Sequence, residues 1–553
     1  MPDLRRTLRE HEPDELALIA ELAGLEPDET PTGRDLSERL ARHLLQRETL
    51  ATLIAPLPPE ARAALSHLIQ DKQPIAHFTR QHGVVRKMGA ARRERERPWQ
   101  NDPSPAETLW YRGLLATAFL DAGRGPEEFA FLPDDLRPLL PPDLIPPAEP
   151  PMPGAPAEPP ADFTPTAVRG FVVDDLTTLL AYLQTHTARL EANHTLPDAH
   201  RAALQPHLRH PSSLDWLLHL TTHLRLIEGV PLRPIAATTR PFLEAARAQQ
   251  IQNLAIAWRD APEWNDLKHL PGLRFEGAWH NDPLAPRLAV GRWLARVPLL
   301  QWWSLETFVT AIYQHQPDFQ RRAGDYEAWY IRDAQTGDYL RGFAHWARVE
   351  GALIRWLIQC PFNWLGLVEV NRDASAFRLT PFGAAYADQQ PWPNSEPAAP
   401  LWASADGLVR APLRASPYVR FQLARIAHWL PLETDHYAYR LTPASLEQAK
   451  QRGIAPARLI EFMQEAVGPD LPPALLGALQ HWERYGPEAT LVDVMVLKIQ
   501  TADLLDTLCA TPSVYPLLGE RFGPTLVAIP RANVEALRNA LVELGVLLDE
   551  LNP

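Results

Sequence analysis

Between residues 138 and 165 this chain has little means of building a helix or an interior strand. The run from Leu140-Pro141-Pro142 to Glu158-Pro159-Pro160 is dominated by Pro, Ala and Glu. Proline lacks the backbone donor that either hydrogen-bond ladder needs. A semi-rigid, extended spacer is therefore expected at 138–165, dividing residues 1–137 from the rest. At 553 residues the chain has room for several domains. Hydrophobic residues make up 46% and charged residues 22%, the balance of folded cores rather than global disorder.

The first 54 residues pattern as helices. Asp35 with Glu38 forms a candidate capping box ahead of Leu36, Leu40, Leu44 and Leu45 on one face. Short helices are expected at 59–69, 74–82, 84–96 and 104–113. A strand at 114–120, a Gly-rich turn at 123–125 and a strand at 128–132 follow. Helices followed by a hairpin give the order of a winged helix. The order recurs after a helix at 353–365, with Gly366-Leu367-Val368-Glu369-Val370 and Ala376-Phe377-Arg378-Leu379 as strands and Thr380-Pro381 opening a new helix. A weaker third copy runs from Trp216 through 224–227, a turn at Gly229, and 232–235. Winged-helix-like domains are thus expected at 1–137, 166–285 and, rich in Trp, 286–398.

Residues 399–553 change character. Strand-like stretches at 407–411, 433–441, 489–497 and 525–529 alternate with helical ones at 417–429, 443–452, 456–467, 472–484, 501–509 and 531–544. The fold class expected for the whole is mainly α with an α/β C-terminal domain. One stretch there is unusually explicit. Tyr437, Tyr439 and Leu441 alternate as in a half-buried strand. Thr442 suits an N-cap and Pro443 a first turn. Leu446 and Ala449 share a helix face, and Gly453 fits the helix end.

These residues also carry a family likeness. Tyr439-Arg440-Leu441-Thr442 with Ser445-Leu446, Ala449 and Gly453 comes first. Leu471-Pro472-Pro473 with Trp482, Tyr485 and Gly486 follows, then Leu537, Leu541, Leu544 and Gly545. Through them residues 404–553 resemble the XPB N-terminal-like domain, also called the helicase-associated domain. Phe242-Leu243 to Trp258, and Trp264-Asn265-Asp266-Leu267, look like bacterial members with several winged helices. In the XPB helicase this domain is not the motor and docks onto a winged-helix subunit. The resemblance therefore implies engagement of a protein partner, a helicase among the candidates, or of nucleic acid. It supplies no catalytic residue.

The chain has no Gly-x-x-x-x-Gly-Lys-Ser/Thr. Its five lysines, at 72, 87, 268, 450 and 498, all lack a preceding glycine. Without that loop the ATP phosphates lose their usual backbone cradle and lysine. Asp14-Glu15 resembles the start of a helicase acidic box but reads as a charge preference at a helix start. No enzymatic activity and no cofactor are expected. Cys360 and Cys509 are the only cysteines, too few for a disulfide scaffold, which fits a reducing compartment. The N-terminus has no apolar signal-like core, and no apolar run approaches the ~18–20 residues of a membrane span. A cytoplasmic protein with no membrane partner is expected.

Charge points to one candidate surface. Net charge is −13, which argues against a basic coat over the whole surface. Yet residues 72–97 hold eight cations against Glu94 and Glu96. Arg80, Arg86, Lys87, Arg92, Arg93, Arg95 and Arg97 are the candidate nucleic-acid-binding residues, since such a patch beside a winged helix can neutralise phosphates. The competing reading is a solvated helix face with internal Glu/Arg pairing.

Other constellations read as structural. His219 and His223 are four apart, but the residues between them lack the Glu of His-Glu-x-x-His, so no metal site is expected. Trp293, Trp302, Trp303, Trp329, Trp346, Trp356 and Trp364 read as core. Asp266-Leu267-Lys268 with Glu263 upstream faintly resembles a nuclease carboxylate–lysine pair but sits at a helix end and loop. Cys360, before Pro361 in apolar surroundings, reads as buried rather than nucleophilic. Together these features predict a non-enzymatic DNA-associated protein that binds DNA through winged helices and docks a partner through 399–553. The alternative is a protein–protein scaffold with no DNA binding of its own.

Overall fold

The computed structural model describes every residue except 1, 26–32, 122–124, 142–143, 145–150, 162–169, 193, 395–396, 487–493 and 550–553. Internal contacts divide the chain into two units. The first comprises Met1–Leu401, Arg410–Arg425 and Trp429–Tyr439; the second comprises Trp402–Val409, Ile426–His428 and Arg440–Pro553. The whole is helix-rich with small sheets, a mixed α/β protein.

Helices α1 (Leu4–Leu8), α2 (Pro13–Leu22), α3 (Gly33–Leu44) and α4 (Arg47–Ile54) bury Leu4, Leu8, Leu16, Ile19, Leu40, Leu44, Leu50 and Leu53 in one core. Because α3 begins at Gly33, Asp35 lies in its first turn instead of at its cap. The same core receives α5 (Pro59–Gln70), which is followed by β1 (Gln73–Pro74), α6 (Ile75–His82), α7 (Ala90–Glu96), α8 (Pro105–Trp110), β2 (Ala116–Asp121) and β3 (Pro126–Phe131). Ser104 caps α8, with Pro105 at its first position and Glu107 closing a reciprocal capping box. The strands form an antiparallel sheet in the order β1-β3-β2. The helix expected over 84–96 is helical only from Ala90. Upstream, the Arg86 backbone N–H donates to Glu107 Oε1 at 2.8 Å, a bond that holds this stretch out of the ladder. The expected turn at 123–125 falls mostly outside the described residues.

Further along are α9 (Val172–Thr185), α10 (Asp198–Leu204), α11 (Leu214–His223), β4 (Ile227–Glu228), β5 (Arg233–Pro234), α12 (Ala236–Glu244), α13 (Arg247–Asp260) and β6 (Leu273–Phe275). Next come α14 (Leu284–Leu294), β7 (Trp302–Ser304), α15 (Leu305–His315), β8 (Ile331–Asp333), α16 (Trp346–Leu357), β9 (Val368–Val370), β10 (Ala376–Leu379) and α17 (Pro381–Tyr386). The sheet order β7-β10-β9 repeats β1-β3-β2. In both cases a helix, a short strand, two core helices and a hairpin follow in sequence, with α7 inserted between the two core helices of the first and β8 between those of the second. The stretch α9–α10–α11–β4–β5 keeps the order with a reduced first strand: Ala188 O accepts from Leu232 N at 2.9 Å. This helix–strand–helix–helix–hairpin arrangement therefore occurs three times among the described residues.

Of the Pro-rich stretch, Arg137–Leu139 forms a 3-10 turn and residues 151–161 are extended, but the extended part is not a free spacer. Pro156 bridges Trp303 antiparallel. Ala157 N donates to Trp302 O at 2.9 Å, and Ser304 N to Ala155 O at 3.0 Å. Trp303 Nε1 donates to Pro153 O at 2.8 Å. The stretch thus docks along the edge strand β7. An edge tolerates proline because only one side of the added strand must pair. Gly154 has φ +104°, and a Cβ there would meet backbone atoms of Thr307 and Phe308 at 2.7 Å, so the approach needs glycine.

Toward the C-terminus run β11 (Trp402–Ala403), β12 (Leu408–Pro412), α18 (Pro417–Ile426), β13 (His428–Trp429), β14 (His436–Arg440), α19 (Pro443–Gln451), α20 (Pro456–Val467), α21 (Pro473–Tyr485), β15 (Val494–Lys498), α22 (Ala502–Ala510), β16 (Arg521–Gly523), β17 (Leu526–Pro530) and α23 (Val534–Glu543). Within the second unit β15-β17-β16 form an antiparallel sheet, over a core of Leu497, Leu505, Leu508, Val527, Ile529, Leu537 and Leu541. The expected cap is present: Thr442 Oγ1 accepts from Ser445 N at 3.1 Å, with Pro443 in the first turn. Gly453 takes φ +85° past the helix end. The strand before it differs from expectation. Tyr437, Ala438 and Tyr439 are all buried, so β14 is covered on both faces rather than one.

A charged knot within the first unit explains that burial. The α9 residues Asp174 and Asp175 are 2% and 0% exposed. Arg247 forks onto Asp174 at 2.9 and 3.2 Å. Arg420 of α18, itself buried, donates to Asp174 O, to Thr178 Oγ1 at 3.1 Å and to the Tyr439 hydroxyl at 3.3 Å. Its guanidinium lies 4.0 Å from the Tyr437 ring centroid. Asp175 accepts the backbone N–H groups of Arg209 and His210 at 2.7 and 2.9 Å, while burial pushes its carboxyl up to about 7. Removing one partner of a buried pair leaves an uncompensated charge. Arg420→Ala is expected to destabilise the first unit by about 3–5 kcal/mol and to accelerate amide exchange at Tyr437, Ala438 and Tyr439. Exchange and urea midpoint equal to the parent would contradict this anchor.

Candidate nucleic-acid interface

The seven candidate cations separate into two groups by what they touch. Arg93, on α7, is 4% exposed. It pairs with Glu12, Asp14 and Glu15 of the α2 start and donates to Met88 O at 2.6 Å. Asp14-Glu15 thus serves the helix terminus, with Arg93 as its counter-ion. Arg86 forks onto the buried Glu107, with Nη2–Oε2 at 2.7 Å, and reaches Pro98 O at 3.1 Å. Arg80 binds Asp318 at 2.9 Å and Ala323 O at 3.1 Å, and stacks 3.9 Å from the Phe343 ring centroid. These three guanidinium groups hold the first unit together.

Lys87, Arg92, Arg95 and Arg97 are exposed. Arg92 bonds Glu96 at 2.8 Å along the α7 face, and Arg95 reaches the same carboxylate at 3.8 Å. The first is a solvated i,i+4 contact and the second joins adjacent residues, and both carry small energetic weight. Lys87 and Arg97 make no side-chain ion pair among the described residues. Arg97 closes α7 in the left-handed region at φ 43°, turning the chain after the helix. The four therefore cluster on one short segment between α6 and α8.

The third helix of each repeated arrangement has little surface to offer. In α8, Ala106, Glu107, Thr108 and Leu109 are buried and no residue is exposed. In α11 only Thr222 and His223 are exposed, and in α16 only Ala347 and Arg348. Arg348 is paired with Asp333. Each of these helices also carries a carboxylate gripped by an earlier arginine. Glu107 is held by Arg86, Asp215 by Arg201, and Glu350 by Arg321 at 2.6 Å. Burial pushes Glu350 up, against the pull of Arg321 and Gln320. A helix sunk in the core and bearing an acid is a poor reader of a phosphate-lined groove.

The remaining sequence candidates take structural places. His77 joins Arg80 on Asp318, at 3.0 Å. Burial raises that carboxyl, but the bonds from His77, Arg80 and Tyr326 prevail and hold it below its ordinary range. His67, His77, His82 and His315 line a cleft of about 450 Å³. His67 Nδ1 and His82 Nε2 share a hydrogen bond at 2.9 Å; burial, then the neighbouring histidines, takes His82 down to about 4. Sequence spacing did not reveal this cleft, whose histidines come from three helices. Trp293, Trp302, Trp303, Trp329, Trp346 and Trp364 are buried, as expected for core, and Trp356 is half-buried. Asp266 is buried, accepting from Arg287 Nε at 2.6 Å and Trp264 Nε1 at 3.0 Å, so it holds the fold. Burial pushes the Cys360 thiol up to about 12, away from nucleophilic use. No helix among the described residues is long and apolar enough to cross a membrane.

Comparison with known families places one segment. Residues 401–523 match the helicase conserved C-terminal domain, and the chain is helicase-related over that segment. The match begins close to residue 404, where the helicase-associated resemblance was expected to start. No curated protein matches the chain.

Proposed function

We propose that this chain is a helicase-related accessory protein with a nucleic-acid-linked role and no motor of its own. The match over residues 401–523 supports the relation to helicases, and the missing phosphate-binding lysine loop supports the absence of a motor. The three repeated arrangements are read as winged helices on their strand order, which runs first–third–second in β1-β3-β2 and β7-β10-β9. They act as struts rather than groove readers. Nucleic acid is met instead at Lys87, Arg92, Arg95 and Arg97, through phosphates and without base selection. The observation that carries this reading is the contrast between buried third helices and four exposed cations on one segment.

Fluorescence anisotropy of the full chain with labelled duplex and single-stranded DNA tests it. The variant Lys87→Glu, Arg92→Glu, Arg95→Glu, Arg97→Glu is expected to bind more weakly. The slope of log K against log salt should fall by about 0.9 for each duplex phosphate that is no longer neutralised. Equal affinity and equal slope for parent and variant would sink the assignment.

A second reading, docking of a protein partner by the C-terminal part of the chain, has its own support. Within the second unit Tyr485, Tyr515, Phe522 and Leu547 are 56%, 66%, 55% and 86% exposed, and aromatic anchors of this kind dominate protein interfaces. With a helicase-class ATPase as the partner, full-length protein carrying Tyr515→Ser and Phe522→Ser is expected to lose its capture. Undiminished capture by that variant would remove this surface from consideration.

A further inference from the structure

The sequence offers His219 and His223 one helical turn apart, without the glutamate of the usual zinc-hydrolase motif. The fold supplies a carboxylate from elsewhere. Glu263, in the segment after α13, brings an oxygen to within 3.8 Å of His223 Nδ1. One ligand atom from each of His219, His223 and Glu263 lies within 4.8 Å of the others. We propose that these three residues form a binding site for a single divalent ion of the zinc class.

Three independent features support the site. The His219 Nε2 atom is buried and has no hydrogen-bond partner, a state that imidazole nitrogens in folded proteins rarely keep. The donor set, two imidazole nitrogens and one carboxylate oxygen, suits Zn²⁺ and Co²⁺ rather than Mg²⁺ or Ca²⁺, which prefer all-oxygen shells. Finally, the ligands stand on braced supports. His219 and His223 share α11, and the His219 ring packs 5.3 Å from that of Trp264. Trp264, next to Glu263, is tied through Nε1 to Asp266, which Arg287 holds in the core. A bound ion would clip α11 to the segment after α13. Exposure of His223 and Glu263 leaves the fourth position to water, beside an open pocket of about 310 Å³ that Glu263 shares with Lys268, His269 and His280.

Spectroscopic titration tests the proposal on the full chain, stripped of metal and then given Co²⁺, with Zn²⁺ as competitor. The parent is expected to bind one equivalent, with visible d–d bands that Zn²⁺ abolishes. His223→Gln and Glu263→Gln alter exposed side chains, leave the core untouched, and should each weaken binding by about tenfold or more. His82→Gln, at the separate His67–His82 pair, should bind as the parent does. Binding without a one-equivalent limit would overturn the site. So would parent-like affinity in the His223 and Glu263 variants, or loss of binding in the His82 variant.

Discussion

An arginine gripping a carboxylate on the third helix is the interaction on which each repeated arrangement rests. Arg86 holds Glu107, Arg201 holds Asp215, and Arg321 holds Glu350. The arginine comes from the second helix or the segment behind it, so each pair ties two neighbouring pieces of one arrangement. Glu350 and Arg321 are almost wholly buried. A pair of that kind gains little net stability over an apolar core but makes the loss of either partner costly. Its effect here is to fix the third helix facing inward. That orientation removes most of the third helix from solvent.

The same chemistry joins distant parts of the chain. Asp174 and Asp175 open α9 with two adjacent acids among Val172, Val173 and Leu176. There they meet Arg247 and Arg420 and the backbone of Arg209 and His210. Arg93 closes on three carboxylates at the start of α2. The cation-rich stretch is therefore split by function. Some of its charges are consumed by buried partners, and those on the solvent side of α7 remain exposed.

Local features were legible in the sequence because local rules decide them. Thr442, Pro443 and Gly453 set the limits of α19, and the helices from 443 onward lie close to their expected positions, whereas β16 was not expected and residues 489–493 of the expected strand 489–497 lie outside the described residues. What failed was decided at long range. Nothing near Arg93 reveals that its partners lie on α2. The run 84–89 patterns as helix until Glu107 draws the Arg86 backbone away. Proline content marked 138–165 as extended, but only the edge of β7 shows where 153–157 dock. Glu263 and the His219–His223 pair were each visible, yet only the fold brings them together.

Hydrogen exchange of the full chain, measured with and without duplex DNA, tests most directly whether the third helices are struts and the segment around α7 is the contact. DNA is expected to slow exchange across residues 84–101 and to leave α8, α11 and α16 unchanged. Slower exchange in α11 or α16, with residues 84–101 unaffected, would contradict that division of labour and return DNA reading to the third helices.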